Sequence, residues 1–206
     1  MKYVKKLPPT NRRLRDQLIG NGWNKIKEPA NLVSATLLSL PLAFLLSGIV
    51  VWLAYLLKPS LFGFLTSDTL AIAFKLDYRA LLYLLCIFAY MFLHELVHAV
   101  FIPDFVRSAK TVFGLNGLFG FVSTTEPLKK SRYIVISVMP FALLSLLPIA
   151  ILFLLDQLNW YTLGLCLINA AGSCVDFLNV LLITFQVRDG RTIISNGFET
   201  YYSPGK

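Results

Sequence analysis

Charge is scarce in this chain: Asp, Glu, Lys and Arg make up 15% of its 206 residues, against 56% hydrophobic and 14% aromatic. That balance lies outside the range of soluble globular domains and predicts an integral membrane protein. Cysteine is nearly absent too. Cys86, Cys166 and Cys174 all fall inside apolar runs and form no CxxC pair, so a disulfide framework is not expected and each reads as a packing residue. There is no internal repeat, which disfavours a transporter built from repeated halves, and no low-complexity tract or appended soluble domain. The first apolar run begins beyond residue 30 and lacks a cleavage site, so a cleavable signal peptide is not expected either.

Long apolar runs are what the chain has instead. Four of them, at 33–57, 81–106, 134–155 and 160–187, each reach the ~20 helical residues that a bilayer core takes. The predicted fold class is an all-α membrane protein: a four-transmembrane-helix bundle forming a single integral membrane domain over 1–206. Residues 1–31 form a basic lead-in, which Pro8-Pro9 and Gly20-Asn21-Gly22 keep from being one long helix, and residues 188–206 form a tail.

The net charge of +8 follows this layout rather than a nucleic-acid surface. Eight basic residues precede the first run, five lie at 107–132 and three follow the fourth run, leaving only Lys58, Lys75 and Arg79 between runs one and two. By the positive-inside rule both termini and the 107–133 connection are cytoplasmic, in a multi-pass cell-membrane protein. The Lys58–Arg79 connection, rich in Leu and Phe, is expected to rest on the opposite interface.

The segment from Thr111 to Glu126 differs from the rest. Val112, Phe113, Phe119, Phe121 and Val122 alternate with glycines around Asn116-Gly117, a strong hairpin signal. Such a hairpin either packs over the bundle or offers an edge to which an extended substrate adds as a strand.

The only two histidines stand in His94-Glu95-Leu96-Val97-His98, inside the second run. On a helix, His at i and i+4 share one face and can reach one zinc ion, while the adjacent Glu can serve as general base on an attacking water. Three ionisable groups inside a span are costly and ask for a function. Catalytic zinc takes three protein ligands. The metzincin extension is missing, since Phe101 and Asp104 stand where Gly and His would be. That leaves Asp104, Glu126, Asp156 and Asp176, with Cys174 behind them. Depth favours Asp176. It lies 12 residues before Arg188, and His94 and His98 lie 13 and 9 before Arg107, in spans that run the same way. Asn169, two helical turns before Asp176, could orient a substrate carbonyl or oxyanion, or make an interhelical hydrogen bond. Gly172 and Ser173 allow the helix to bend.

These motifs resemble the intramembrane site-2-protease type of zinc enzyme. In that group HExxH on one transmembrane helix is followed on a later one by an Asn-x-x-Pro-x-x-x-Leu-Asp-Gly motif. Asn169 and Asp176 stand as the ends of it, one residue closer together, without the Pro and with Phe177 for the Gly. Nearly the whole chain is also similar to a bacterial family of small membrane proteins described as putative zincin peptidases.

The predicted chemistry is therefore zinc-dependent peptide-bond hydrolysis near the cytoplasmic face: His94, His98 and Asp176 hold Zn2+, Glu95 acts as general base and Asn169 assists catalysis. The expected partners are the bilayer and a membrane-protein or peptide substrate, with no nucleic acid. Two alternatives stand beside this: a zincin whose third ligand is Glu126, and a non-enzymatic scaffold, immunity protein or transporter component with a structural metal.

Overall fold

The structure, a computed structural model, describes residues 2–66, 77–116 and 119–204. The chain opens with β1 (Lys2–Val4), α1 (Arg12–Gly20) and β2 (Asn24–Lys25), then crosses in α2 (Leu32–Leu57) to a 3-10 turn over Pro59–Thr66. It returns in α3 (Tyr78–Phe101) to β3 (Thr111–Asn116), β4 (Phe119–Thr124) and β5 (Leu128–Lys129). The third span is α4 (Lys130–Phe141), a π-helical turn over Ala142–Leu146 and α5 (Leu147–Leu154). The fourth is α6 (Trp160–Gly172) and α7 (Cys174–Gln186), followed by β6 (Thr192–Asn196) and β7 (Glu199–Tyr202). Four stretches, Leu32–Leu57, Tyr78–Phe101, Lys130–Leu154 and Trp160–Gln186, are long and apolar enough to cross a membrane.

Local chemistry sets the ends of these helices. Asn31 and Asn159 each cap a span reciprocally, Asn31 with Ser34 and Asn159 with Thr162, satisfying backbone amides that a helix start leaves free. Asp77 caps α3 through the amides of Arg79 and Ala80. Helix α3 stops at Phe101, five residues short of the expected end. Pro103 is the reason: the residue before a proline is pushed out of the helical region, and Ile102 is extended. The bend expected at Gly172 and Ser173 is a one-residue interruption at Ser173, whose Oγ donates to the Asn169 carbonyl at 2.9 Å.

Strictly all-α is too narrow. The fold is mostly helical but carries two small sheets at one end of the bundle. One has the order β1-β3-β4 and contains the expected hairpin, paired from Thr111↔Thr124 to Asn116↔Phe119. The other, β2-β7-β6-β5, joins the lead-in, the connection before α4 and the tail. The β6–β7 hairpin was not expected, although Thr192, Ile193 and Ile194 before Asn196-Gly197 repeat the β-former and Asn-Gly pattern, and Gly197 takes a left-handed φ of 65°. Asn196 locks this end to the lead-in, accepting from the Asn11 amide and donating to the Asn11 carbonyl, both at 2.9 Å. At the opposite end Lys58 pairs with Asp156 at 2.8 Å. Of the expected interfacial connection, residues 67–76 lie outside the described residues; before them Phe62 is buried against the core.

The core forms where α2 meets the last two spans, through Leu46, Val50, Ala54, Ile149, Leu163 and Ala170. Helix α3 is peripheral. Only its Ala99 is buried, and its outer side presents Leu82, Leu85, Phe88 and Phe92. Such a continuous apolar face is solvated by lipid tails, not by water. Its inner side packs on α4, α6 and β4.

Candidate metal centre

His94 and His98 project from the inner side of α3, one turn above each other, toward the first turn of α7. There Asp176, three residues after the interruption at Ser173, reaches both of them. His94 Nε2 lies 3.3 Å from Asp176 Oδ2, His98 Nε2 3.5 Å from Oδ1, and the two Nε2 atoms 3.1 Å apart. Among the described residues this is the one group of three or more His, Cys, Asp or Glu side chains close enough to hold an ion. The histidine side chains are 12% exposed and Asp176 21%, so the cluster is sheltered within the bundle.

The protons of this cluster follow from its neighbours. Asn169 donates through Nδ2 to the Pro140 carbonyl at 3.1 Å and to Ser145 Oγ at 2.8 Å. Turning the amide over would set its oxygen against the Pro140 carbonyl, so Oδ1 must face His94. That oxygen is 2.9 Å from His94 Nδ1, which therefore donates. His98 Nδ1 lies 2.9 Å from the Ile136 carbonyl, which can only accept, so it donates as well.

With Nδ1 carrying the proton, each imidazole in its neutral form presents a bare Nε2 to the other and to the carboxylate. In that form four lone-pair atoms converge with no donor among them, an arrangement that positive charge relieves, as a bound metal ion or as protons on the rings. The separations fit zinc: ligands about 2.0–2.1 Å from a tetrahedral ion stand about 3.3 Å from one another, matching the observed 3.1, 3.3 and 3.5 Å.

Glu95 sits beside this group, outside the ligand set but within electrostatic reach of His98, His94 and Asp176. It faces β4, the terminal strand of its sheet. A Cβ at Gly120 would come within 2.6 Å of Glu95 Cγ, so glycine is what lets the strand approach, and the Val122 backbone passes the Glu95 carboxyl group.

The other ligand candidates are engaged elsewhere. Cys174 accepts from Ser39 Oγ of α2 at 3.1 Å. Glu126 accepts from Ser108 Oγ at 2.8 Å and Lys110 Nζ at 3.3 Å, bonds that hold its carboxyl below the ordinary range. Asp156 is with Lys58 at the far end, and Asp104 occupies a turn with φ of 51°. Sequence reasoning passed over Ser145, Ile136 and Pro140. Their roles depend on a hydroxyl and two backbone carbonyls, which no motif records.

A family model described as "Putative zincin peptidase" matches residues 87–190, about half the chain and the whole of the cluster. No curated protein and no solved structure matches the chain.

Proposed function

Because the chain belongs to the putative zincin peptidase family, we propose that it is an intramembrane zinc metallopeptidase that hydrolyses peptide bonds of a membrane protein or peptide near the cytoplasmic face. The observation that carries this is the convergence of both histidine Nε2 atoms and the Asp176 carboxylate at zinc-like separations. His94, His98 and Asp176 would hold the ion. Zinc bound there supplies Lewis-acid polarisation of a carbonyl and lowers the pKa of a water to about 7. Glu95, free of the ligand set, takes the proton of the attacking water and passes it to the leaving amine. Asn169 fixes His94 rather than the substrate, since its Oδ1 and both Nδ2 hydrogens are already bonded.

Both sheets, both described ends of the chain and the 107–133 connection share one end of the bundle, flanked by fifteen of the seventeen described Lys and Arg. We take that end as cytoplasmic. His94 and His98 are seven and three residues from the end of α3, so about 10 and 5 Å along it. That is shallower than distance to Arg107 implied, and it shortens the path for water. A substrate helix must unwind to expose its carbonyls. Edge strand β4, which passes Glu95 and pairs only with β3 among the described strands, is suited to receive it as an extended strand.

Glu95→Gln tests the reading. The variant is expected to keep its zinc and lose cleavage of a model transmembrane peptide by at least about a hundredfold. Undiminished cleavage would refute the general base, and zinc binding without hydrolysis in wild type would leave a structural metal.

A further inference from the structure

In an α-helix the carbonyl of residue i accepts the amide of residue i+4, and proline has no amide hydrogen to give. The third span contains two prolines, Pro140 and Pro148, so the carbonyls of Ile136 and Leu144 lose their helical donors. Both are taken by side chains of α3. His98 Nδ1 donates to Ile136 at 2.9 Å and Tyr90 Oη to Leu144 at 2.5 Å. The two prolines are eight residues apart, as are the two carbonyls and the two α3 donors. Midway between Tyr90 and His98 stands His94, and midway between Ile136 and Leu144 stands Pro140. At that level Asn169 bridges them, from His94 Nδ1 to the Pro140 carbonyl. The π-helical turn at Ala142–Leu146 brings Ser145 Oγ to the same amide, in keeping with the use of such turns at functional sites.

We propose that Pro140 is a positioning residue of the metal site. By withholding an amide hydrogen it keeps the Ile136 carbonyl open for His98 Nδ1, which fixes the proton there and turns Nε2 toward His94 and Asp176. This rests on the metal reading of the cluster. Pro148 plays the corresponding part for Tyr90, one turn beyond the ligands, and so tethers α3 without touching the ion. Partners of this kind, which orient a ligating imidazole, are typically worth 10- to 100-fold in metal affinity.

The test compares untagged full-length wild type, Pro140→Ala and Pro148→Ala in detergent, by zinc competition against a chelator and by 15N spectra of the histidine rings. Two histidines give only four ring nitrogens. Pro140→Ala restores a competing amide at Ile136; zinc affinity is expected to fall at least about tenfold and the His98 Nδ1–H signal to lose its hydrogen-bonded shift, while Pro148→Ala stays within about twofold of wild type. Wild-type affinity in Pro140→Ala, or equal losses in both variants, would overturn the proposal. If Pro140→Ala does not fold, wild type decides: a His98 proton on Nδ1, hydrogen-bonded to a carbonyl, supports it, and one on Nε2 contradicts it. A wild type that binds no zinc would overturn the metal reading and with it Pro140's part in a metal site, whereas zinc bound by wild type with unchanged affinity in Pro140→Ala would overturn the Pro140 proposal alone.

Discussion

His94 Nδ1 and Asn169 Oδ1 stand 2.9 Å apart, joining the helix that carries the two histidines to the one that leads to Asp176. Since the amide's other hydrogen bonds fix its orientation, this contact sets the His94 proton. Asn169→Ala is therefore expected to weaken zinc binding by about 10- to 100-fold in chelator competition. A variant that kept wild-type zinc affinity and lost only hydrolysis would mean that Asn169 acts on the substrate instead.

Gly120 lies so close to Glu95 that a side chain there must displace one of them. Gly120→Ala is expected to leave zinc stoichiometry at the wild-type value and to slow cleavage of a model transmembrane peptide by about a hundredfold, the usual cost of an ångström-scale displacement of a reacting group. Full activity in this variant would remove β4 from the neighbourhood of the reaction.

How much of this arrangement the sequence reveals depends on the scale of the signal. The spans are legible because each apolar run is far longer than any soluble helix requires, and the β3–β4 hairpin because Asn116-Gly117 sits between alternating β-formers. The nearness of Asp176 to the histidines is legible as well, since equal depth in parallel spans is a matter of counting residues. The early end of α3 was also written, in Pro103, but the apolar residues after it masked the stop. The β6–β7 hairpin has the same Asn-Gly signature as β3–β4 and was hidden only by its place in a polar tail. What the sequence withholds is the set of contacts behind the ligands. Asn169, Ser145 and the Ile136 carbonyl meet through a π-helical turn and a helix interruption whose positions hydropathy does not encode.

Cys174 is turned to Ser39 of α2 and away from the cluster. Cys174→Ala is expected to retain one zinc per chain, measured by metal analysis of the purified protein, with a modest loss of thermal stability. Loss of the metal would return the thiol to the ligand set.

Glu28 accepts the Thr200 amide at 2.6 Å at the base of the second sheet, and burial raises its carboxyl above the ordinary range despite that bond and the charge of Lys25. A carboxyl whose folded-state pKa is raised contributes stability that is full below its unfolded pKa and is lost as pH rises through the folded one. Glu28→Gln removes this dependence. Its melting temperature is expected to gain on wild type as pH is raised from about 4 to about 8; a difference that does not vary with pH would contradict it.

The most direct measurement is the zinc content of detergent-purified wild type beside His94→Ala and Asp176→Ala, prepared identically. One zinc per chain in wild type, lost in both variants, is expected of a site shared between α3 and α7. Zinc retained without Asp176, or none in wild type after reconstitution, would contradict it.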